Sequence, residues 1–487
     1  MNSRREFLKG MGLVLMSLTL PACLRSVKNA GQGMRAKAGE QSLPNIVLIF
    51  TDDQGYADLS CFGAKDFTTP YIDRLADEGM KFTDFYVTSP ACSPSRAALL
   101  TGCYHPRVGI EKVLSPDSPY GLNPDETTIA DLVKTCGYAT MCIGKWHLGD
   151  KPEWMPRAQG FDEYFGLPYS NDMFPFHKGE KHDEGKIALV IGDDVPITHN
   201  GSLTEKVPQD QLTTKYTEQA VSFIERNADK PFFLYLAHSM PHVPVHASEK
   251  FRGKTARLYG DVIREIDWSA GQICDTLKRQ GLEENTLVIF TSDNGPWLPF
   301  GKYQAGEAFP LRGGKGSVWE GGVREPCVMR WPGRIPAGTL CAEPVCTIDI
   351  LPTIAEITGA QLPDDRIIDG RSILPLMLGR DGAQTPHEAL FFSTIYGRVC
   401  CTAVRSGRWK LHLNGPGLAY TLKPDEKPAE AGTLKYSLYD LQTDIGEKTD
   451  VAESHPEIVS SLEAQVLAHL EDIRKTKRPV AGTSSKA

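Results

Sequence analysis

The 487-residue sequence lacks an apolar run that could span a membrane, an excess of positive charge and a regular spacing of cysteines. Its apolar N-terminal run, Met11 to Leu20, falls short of the roughly 20 residues that a transmembrane helix needs. The net charge of −8 argues against nucleic acid as a general partner. The 12 cysteines fit neither a disulfide framework nor a zinc site, although Cys341 and Cys346 could pair, as could Cys103 with a distant partner.

The N-terminus places basic residues before the apolar run, which is the order expected of an export signal. Ser3-Arg4-Arg5-Glu6-Phe7-Leu8-Lys9 resembles a twin-arginine signal, so we expect residues 1–30 to direct export by the twin-arginine translocase. Leu20-Pro21-Ala22-Cys23 resembles a lipobox, which makes Cys23 a candidate lipid anchor, with simple cleavage nearby as the alternative. The expected location is periplasmic, either free or as a membrane-anchored lipoprotein. Residues 31–42 are small and polar, which is typical of a linker.

Four continuous apolar runs are typical of strands that are buried on both faces. They are Asn45 to Phe50, Ala139 to Ile143, Phe232 to Ala237 and Thr286 to Phe290. Segments with the apolar spacing of helices lie between them, at residues 70–78, 126–134, 213–226 and 261–280. This alternation predicts an α/β fold, with a mostly parallel sheet flanked by helices. Polar residues follow every run, at the edge where such sheets carry their active sites.

The chain divides into a large and a small predicted region. A hydrophobic content of 41% over this length is enough for two or three domains, or for one large α/β domain with an appendage. We expect the large domain over residues 43–380. Short strand-like segments followed by a helix from Pro456 to Arg474 predict a smaller C-terminal α+β subdomain over residues 381–474. Residues 475–487 are expected to form a disordered tail.

Cys92 opens the segment Cys92-Ser93-Pro94-Ser95-Arg96, which the sequence places in the first turn of a short helix. Pro94 suits the first helical position, and Gly102 is a natural stop. Cys92 then lies at the positive end of a helix dipole, beside the permanent cation Arg96. Such a place can activate a nucleophile or hold an anion, whereas the alternative is an ordinary buried cysteine.

Hard oxygen ligands follow two of the predicted strands. Asp52 and Asp53 come after the first run, and Asp293 and Asn294 come after the fourth. Either pair alone would more often be a turn or a helix cap. Both pairs together, after buried strands, favour a site for Ca²⁺, with Mg²⁺ as the second choice.

Cationic and titratable residues follow the other predicted strands and loops. Lys145 and His147 lie two residues apart, on one side of an extended segment, and His242 follows the third run. Lys315 belongs to the glycine-rich loop Leu311-Arg312-Gly313-Gly314-Lys315-Gly316. Each of these residues alone is more often a surface charge or a structural histidine.

Taken in order, these motifs resemble those of the type I sulfatases, in particular the arylsulfatase A and N-acetylgalactosamine-6-sulfatase group. The resemblance runs from Asn45 to Pro326 and is strongest in the Cys92 string, which continues to Leu100-Thr101-Gly102. It implies an alkaline-phosphatase-like fold. It also implies that a maturase converts Cys92 into formylglycine (3-oxoalanine) and that one Ca²⁺ is bound beside it. The implied metal-binding residues are Asp52, Asp53, Cys92, Asp293 and Asn294.

The same resemblance implies roles in sulfate ester hydrolysis. In the family, a formylglycine hydrate attacks sulfur and gives a covalent sulfo-enzyme, with Asp293 as a candidate proton acceptor. Arg96 would hold the hydrate, and His242, together with Lys315, would protonate the leaving alcohol. His147 would then take a proton from the remaining hydroxyl, which expels sulfate. The residues implied to contact the sulfate group are Lys145, Ser170, His242 and Lys315.

Two other functions stay open from the sequence. A one-metal phosphonate or phosphate ester hydrolase of the same superfamily would use a similar site, and an unmodified Cys92 would leave a sulfatase-like binding protein without catalysis. For the sulfatase, we expect a sulfated carbohydrate or an aryl sulfate as substrate. The expected pocket border comprises Asn171 to Phe176, His177, His182 and the loop from Trp297 to Tyr303.

Overall fold

The computed structural model describes residues 43–116, 118–173, 194–199, 202–394, 401–413 and 435–481. The predicted export signal, Cys23, the linker, residues 174–176, His177 and His182 lie outside the described residues. The strands are β1 (Asn45–Thr51), β2 (Met80–Tyr86), β3 (Ala139–Lys145), β4 (Glu163–Leu167), β5 (Asp194–His199), β6 (Ser202–Pro208), β7 (Phe232–Ala237), β8 (Thr286–Ser292), β9 (Arg324–Arg330), β10 (Thr339–Cys341), β11 (Val345–Cys346), β12 (Leu390–Phe392), β13 (Ala403–Ser406), β14 (Trp409–Leu413) and β15 (Tyr436–Asp440). The helices are α1 (Pro70–Asp77), α2 (Cys92–Thr101), α3 (Ile129–Lys134), α4 (Leu212–Arg226), α5 (Leu258–Arg279), α6 (Gly301–Gln304), α7 (Glu320–Val323), α8 (Ile350–Thr358), α9 (Leu374–Met377) and α10 (Pro456–Thr476).

A mostly parallel sheet with helices on both faces forms the large domain, as the alternation of runs predicts. Its described strands follow the order β10-β2-β9-β8-β1-β7-β3-β4-β5-β6, with β11 also paired to β2. The four predicted strands lie together at its centre, and β1 pairs in parallel with both β7 and β8. Strands β2 and β9 add antiparallel pairing that the sequence analysis did not predict.

Strand β1 shows why a continuous apolar run belongs at the centre of the sheet. Ile46, Leu48 and Phe50 point into one hydrophobic core, which the helices α2, α3 and α8 cover. Val47 and Ile49 point into the opposite core, beneath α1, α4 and α5. Both faces are therefore buried, and the strand has no polar face that could lie in solvent.

The C-terminal subdomain is a four-stranded antiparallel sheet, ordered β12-β13-β14-β15, with α10 packed on it. Leu411 and Leu438 of the sheet share a hydrophobic core with Leu462 and Val466 of α10. The expectation of a disordered tail from Lys475 is wrong for its first residues. Helix α10 continues to Thr476, and the Arg478 guanidinium donates to both carboxylate oxygens of Glu126, at 2.7 and 2.8 Å.

Several local predictions change in detail. Helix α2 begins at Cys92 itself, so Pro94 is its third residue and not its first, while Gly102 ends it with a φ of 66°. Helix α3 starts at Ile129, because Thr128 and Asp131 form a capping box there. Cys341 and Cys346 are both thiols, so the suggested disulfide between them is absent. Among the described helices, none combines the length and apolar character needed to cross a membrane.

Candidate active site

The polar residues predicted from the sequence follow four adjacent strands, β8, β1, β7 and β3. Thr51 of β1 lies opposite Ser292 of β8 in the parallel register. The pair Asp52-Asp53 therefore leaves the sheet beside Asp293-Asn294. Because the carboxyl ends of parallel strands meet at one edge, residues distant in sequence converge there.

The three aspartates form a compact buried group. One carboxylate oxygen from each of Asp52, Asp53 and Asp293 lies within 4.8 Å of the others, and all three residues are almost fully buried. The Asp53 amide donates to Asp293 Oδ1 at 3.1 Å, and Asn294 Nδ2 donates to Asp53 Oδ1 at 2.7 Å. Asp53 has a φ of 63°, which turns the chain back toward Asp293.

These residues fit a hard divalent cation. Asp52 Oδ1 and Asn294 Oδ1 are buried and have no hydrogen-bond partner among the described residues. A buried oxygen without a partner is costly, so each of these atoms is suited to a ligand. The donor set contains only carboxylate and amide oxygens, which is the chemistry that Ca²⁺ and Mg²⁺ prefer.

Three buried cations surround the aspartates. The Arg96 guanidinium donates to Asp293 Oδ2 at 2.8 and 3.1 Å and lies 3.7 Å from Asp52 Oδ2. Lys145 Nζ contacts Asp52, and Lys315 Nζ lies 2.8 Å from Asp53 Oδ1. We call these three aspartates and three cations the strand-end cluster.

The aspartates of the strand-end cluster differ in how far the neighbouring cations offset the cost of burying their charge. Burial opposes ionisation of Asp52, but Lys145, His242 and Arg96 outweigh it and hold the pKa of this carboxyl well below its usual range. Burial and the charge of Asp52 raise the pKa of Asp293 to about 7 despite Arg96. A divalent cation among the carboxylates would favour the ionised form of all three.

Cys92 lies against this cluster at the start of α2. Its Sγ, a carboxylate oxygen of Asp52 and a ring nitrogen of His242 all lie within 4.8 Å of one another. Burial raises the pKa of the Cys92 thiol, and Lys145 and Lys315 do not compensate for it. The unmodified residue is therefore a protonated thiol, although its position beside a helix N-terminus and cations suggested activation.

His147 does not lie on an extended segment, because its φ is 63° and the chain turns there. Its Nε2 lies 2.8 Å from the backbone oxygen of Leu114, which can only accept, so Nε2 carries the proton in the neutral ring. Nδ1 is buried and has no hydrogen-bond partner within the described ranges. Burial, with Lys145 and Arg96, lowers the pKa of His147 well below its usual value, so Nδ1 is an available base.

His242 presents its other nitrogen to the cluster. Its Nδ1 lies 2.6 Å from the Val243 backbone oxygen and 3.3 Å from Ser170 Oγ, while Nε2 lies 3.6 Å from Asp53 Oδ2. Ser170 Oγ also accepts from Lys145 Nζ at 3.1 Å. The structure thus brings together Cys92, Lys145, Ser170, His242 and the aspartates, which the family resemblance implied to share one site.

An aromatic wall borders the cluster. The ring centroid of Trp297 lies 4.5 Å from Lys315 Nζ and 5.6 Å from the His242 ring, and Phe300 packs edge-on against Trp297. Tyr303 is exposed farther along the same loop. Asn171, also expected at the border, instead donates to Gln209 and to the Pro244 backbone.

Sequence reasoning missed two contributions to the site. The backbone oxygen of Leu114 orients His147, and no side-chain motif marks it. Glu325 is fully buried, and neither of its carboxylate oxygens has a hydrogen-bond partner in the described part of the chain. Only the fold shows that burial and the nearby charge of Asp293 raise the pKa of Glu325 well above its usual value.

The family model described as Sulfatase matches residues 44–360, which spans every residue of the strand-end cluster. The chain belongs to the sulfatase family. A second model, described as N-sulphoglucosamine sulphohydrolase, C-terminal, matches residues 314–476 and so covers the small sheet and α10. The protein is accordingly a hydrolase of sulfate esters, as the motifs indicated.

Individual relatives agree with this assignment over most of their length. Human arylsulfatase A is 38% identical over 443 residues, which cover 86% of this chain and 86% of the relative. N-acetylgalactosamine-6-sulfatase of Canis lupus familiaris is 39% identical and covers 77% and 73% of the two chains. The crystal structure of Ps i-CgsB in complex with k-i-k-neocarrahexaose superimposes with a TM-score of 0.74 at 30% identity, covering 90% of this chain and 94% of the other.

Proposed function

We propose that this sulfatase hydrolyses a sulfate ester of a carbohydrate, with formylglycine derived from Cys92 and a bound Ca²⁺. The observation that carries the proposal is the environment of Cys92. Its sulfur lies beside Asp52 and His242, yet burial keeps the thiol protonated. A weak nucleophile at the centre of a charged pocket is better explained as the precursor of the reacting group.

Ca²⁺ would be held by Asp52, Asp53, Asp293 and Asn294, beside residue 92. When bound, it supplies positive charge that stabilises the oxygens of the sulfate group and lowers the pKa of a coordinated hydroxyl. Mg²⁺ uses the same kind of donors but demands a tighter octahedral geometry. The two unpartnered oxygens, Asp52 Oδ1 and Asn294 Oδ1, support this ligand set.

Formylglycine, in its hydrate, supplies a hydroxyl that attacks sulfur and a second hydroxyl that permits release of sulfate. Arg96 is fixed by Asp293 and by the Lys145 backbone oxygen, at 3.0 Å, and so orients charge at residue 92. Asp293, which a bound cation would keep ionised, is the candidate proton acceptor there. His147 would take the proton of the second hydroxyl at Nδ1, because the Leu114 oxygen occupies Nε2.

The remaining side chains would bind the sulfate group and the leaving oxygen. Lys145 and Lys315 provide two ammonium groups, and Ser170 adds a hydroxyl beside Lys145. An anionic sulfate next to His242 would favour protonation of its Nε2, which faces the cluster. That proton would pass to the leaving oxygen as its bond to sulfur breaks, which gives the neutral alcohol, and the ammonium of Lys315 would stabilise the negative charge that develops on that oxygen.

Carbohydrate substrates are supported by the relatives and by the aromatic wall. N-acetylgalactosamine-6-sulfatase is named for a sulfated sugar, and Ps i-CgsB was crystallised with a neocarrahexaose. Trp297 offers a flat face beside Lys315 and His242, and sugar rings stack on such faces. Export by the twin-arginine translocase and a periplasmic location, either free after cleavage or anchored by a lipid at Cys23, complete the proposal, together with a maturase that acts before export.

The test is to express the enzyme with and without a formylglycine-generating maturase and to analyse the peptide that contains residue 92. We expect a form of this peptide that is about 18 Da lighter than the thiol form. The activity on 4-nitrophenyl sulfate and on defined 6-sulfated galactosides should rise in proportion to the fraction of the lighter form. Activity of the unmodified thiol form would contradict the proposal. A higher kcat/KM for phenyl phosphonates than for sulfates would favour the phosphonate hydrolase, and an unmodified thiol in protein from the native host would favour a binding protein.

A further inference from the structure

The end of strand β15, at Tyr439 and Asp440, and the turn that follows Leu441 have no part in the chemistry above. The turn is closed by Asp444, whose carboxylate accepts from the amides of Lys448 and Thr449 at 2.7 and 2.8 Å. It carries Glu447 at a φ of 51°, a left-handed conformation that is unfavourable for a glutamate. Such strain persists only where surrounding contacts maintain it, and it is frequent at functional positions.

The contacts of Glu447 are made with the loop that presents Lys315. This loop spans residues 312–321, and the Gly321 amide closes its base by donating to the Arg312 oxygen at 2.7 Å. Lys315 lies at its tip, where its amide donates to the Pro296 oxygen at 3.0 Å and its ammonium contacts Asp53. The Gly316 amide adds a bond to the Pro90 oxygen at 2.8 Å, so the place of the ammonium depends both on these tip contacts and on how the base of the loop is held.

Glu447 holds this base on both sides. Its Oε2 accepts from the Glu320 amide at 2.7 Å, and its backbone oxygen accepts from Arg312 Nη1 at 2.7 Å. Glu447 of the C-terminal subdomain thus bonds to the chain at Arg312, three residues before Lys315, and at Glu320, five residues after it.

The carboxylate of Glu447 is itself fixed by strand β14. His412 Nε2 lies 2.7 Å from Oε1, and Lys410 Nζ lies 3.4 Å from the same oxygen. Trp319 fills the space beside them, with its ring 3.7 Å from the Arg312 guanidinium and 4.5 Å from the His412 ring. Glu447, Lys410 and His412 are fully buried, so these charge-assisted bonds are rigid and shielded from water.

We propose that Glu447 is a positioning residue for sulfate ester hydrolysis, which fixes the Lys315 loop from the C-terminal subdomain so that the ammonium meets the sulfate group. The inference rests on the proposed role of Lys315. It gives the small sheet a part in catalysis without any contact with the substrate. It also explains why the turn after Leu441 ends in an acidic residue that the fold then buries.

The experiment is a double-mutant cycle with the matured, metal-loaded enzyme. Glu447→Gln keeps the size of the side chain but removes the charge that Lys410 and His412 contact. We expect it to lower kcat/KM for 4-nitrophenyl sulfate about tenfold or more and to weaken inhibition by inorganic sulfate in parallel. In a Lys315→Ala background, Glu447→Gln should cause little further loss, because the group that it positions is already absent.

Glu126→Gln is the matched control, since Glu126 is also a buried carboxylate that binds a C-terminal residue, Arg478, but lies outside the Lys315 loop. It should leave kcat/KM and sulfate inhibition at the wild-type level. Wild-type kinetics in Glu447→Gln, or losses that multiply fully in the double variant, would overturn the inference. Wild-type kinetics in Lys315→Ala would instead overturn the proposed role of Lys315.

A second variant keeps the test decisive if Glu447→Gln does not fold. Arg312→Lys changes the side chain that donates to the Glu447 backbone oxygen. Arg312 is exposed, so the fold tolerates this substitution. Lysine cannot reproduce the reach of the guanidinium both to the Glu447 oxygen and over Trp319. We expect a loss in the same direction as for Glu447→Gln, again absent in the Lys315→Ala background, and an unchanged enzyme would contradict the inference.

Discussion

Two groups of buried charges in this molecule differ in how completely their carboxylate oxygens are paired. The strand-end cluster contains Asp52 Oδ1, which has no hydrogen-bond partner in the described chain. The second group, which we call the inter-sheet cluster, joins the large sheet to the small one through Glu320, Lys410, His412 and Glu447. There, Glu320 binds Lys410 through Oε1 and the Tyr86 hydroxyl through Oε2, and both Glu447 oxygens have partners.

The two clusters also differ in the pKa of a buried carboxyl that each of them contains. Burial would raise the pKa of Glu320, but Lys410 and Arg324 outweigh it and lower the pKa to about 2. The pKa of Asp293 instead rises to about 7, because burial and Asp52 prevail over Arg96. A buried carboxyl whose burial is offset by neighbouring cations stabilises the fold in its ionised form. Asp293 accepts hydrogen bonds at both oxygens, but its burial is not offset, so it has capacity left for a proton or a nearby cation.

The largest expected effect comes from removing the reacting group beside the strand-end cluster. Cys92→Ala should lower kcat for 4-nitrophenyl sulfate by about 10⁴-fold or more, because it removes the proposed source of the nucleophile. Its melting temperature should stay close to wild type, since a small buried side chain is replaced by another. Cys274→Ala, at a buried thiol of α5, should retain full activity. Comparable activity in the two variants would show that Cys92 is not the precursor of the nucleophile.

Metal removal is expected to affect the strand-end cluster alone. Chelation should abolish most activity, and Ca²⁺ should restore it while raising the free energy of unfolding by about 2.7 kcal/mol at a hundredfold excess over Kd. Asp53→Asn should lose this stabilisation. Asp267→Asn should keep it, because Asp267 is a buried carboxyl that accepts from the Tyr71 and Ile72 amides elsewhere. Full activity with metal analysis below one-tenth equivalent would contradict the assignment.

Removal of a cation from the inter-sheet cluster should lower the free energy of unfolding, because the carboxylates that it pairs with stay buried. Lys410→Met leaves the Glu320 and Glu447 carboxylates without their shared cation, so we expect a loss of about 3 kcal/mol in urea unfolding near neutral pH. Because the folded pKa of Glu320 is lowered from 4.5 to about 2, its stabilisation is present above the unfolded pKa and is lost as the pH falls through the folded one. The gap between wild type and variant should therefore narrow below about pH 4.

An exposed ion pair supplies the control for this comparison. Lys134 Nζ lies 3.0 Å from Asp162 Oδ1, and both side chains are more than two-fifths exposed. Lys134→Met should change the free energy of unfolding by less than about 1 kcal/mol, since water and salt screen such pairs. An equal loss in Lys134→Met and Lys410→Met would show that burial does not distinguish the inter-sheet cluster.

The proximity of residues in the strand-end cluster could be predicted from the sequence, whereas that of residues in the inter-sheet cluster could not, for a physical reason. Apolar runs buried on both faces located the central strands, and parallel strands bring the residues after them to one edge, so Asp52 and Asp293 could be placed together. Glu320, Lys410 and Glu447 come from three segments whose pairing depends on how the small sheet packs. Nothing in their spacing records that contact, and Glu447 also depends on a left-handed backbone that residue type does not indicate.

The orientation and the environment of individual side chains could not be predicted from the sequence either. The motif around Lys145 suggested an extended segment, whereas the turn at His147 directs its ring to the Leu114 oxygen. Burial also raises the pKa of the Cys92 thiol, although a helix start and neighbouring cations can activate a nucleophile. In both cases the residue type was informative, but the local dielectric and the hydrogen-bond partner came only with the tertiary structure.

The smallest expected effect concerns the aromatic wall, which adds an uncharged surface to the strand-end cluster. Trp297→Ala should raise KM for a sulfated oligosaccharide about tenfold with a smaller change in kcat, because it removes a stacking face beside Lys315 and His242. Trp268→Ala is the matched control, since Lys250 lies 4.1 Å from that ring in the same cation–π arrangement, on the surface of α5. Trp297→Phe should recover part of the affinity. If Trp297→Ala lowered kcat for oligosaccharide and 4-nitrophenyl sulfate equally, with KM unchanged, Trp297 would act by orienting Lys315 and His242 and not by binding the sugar.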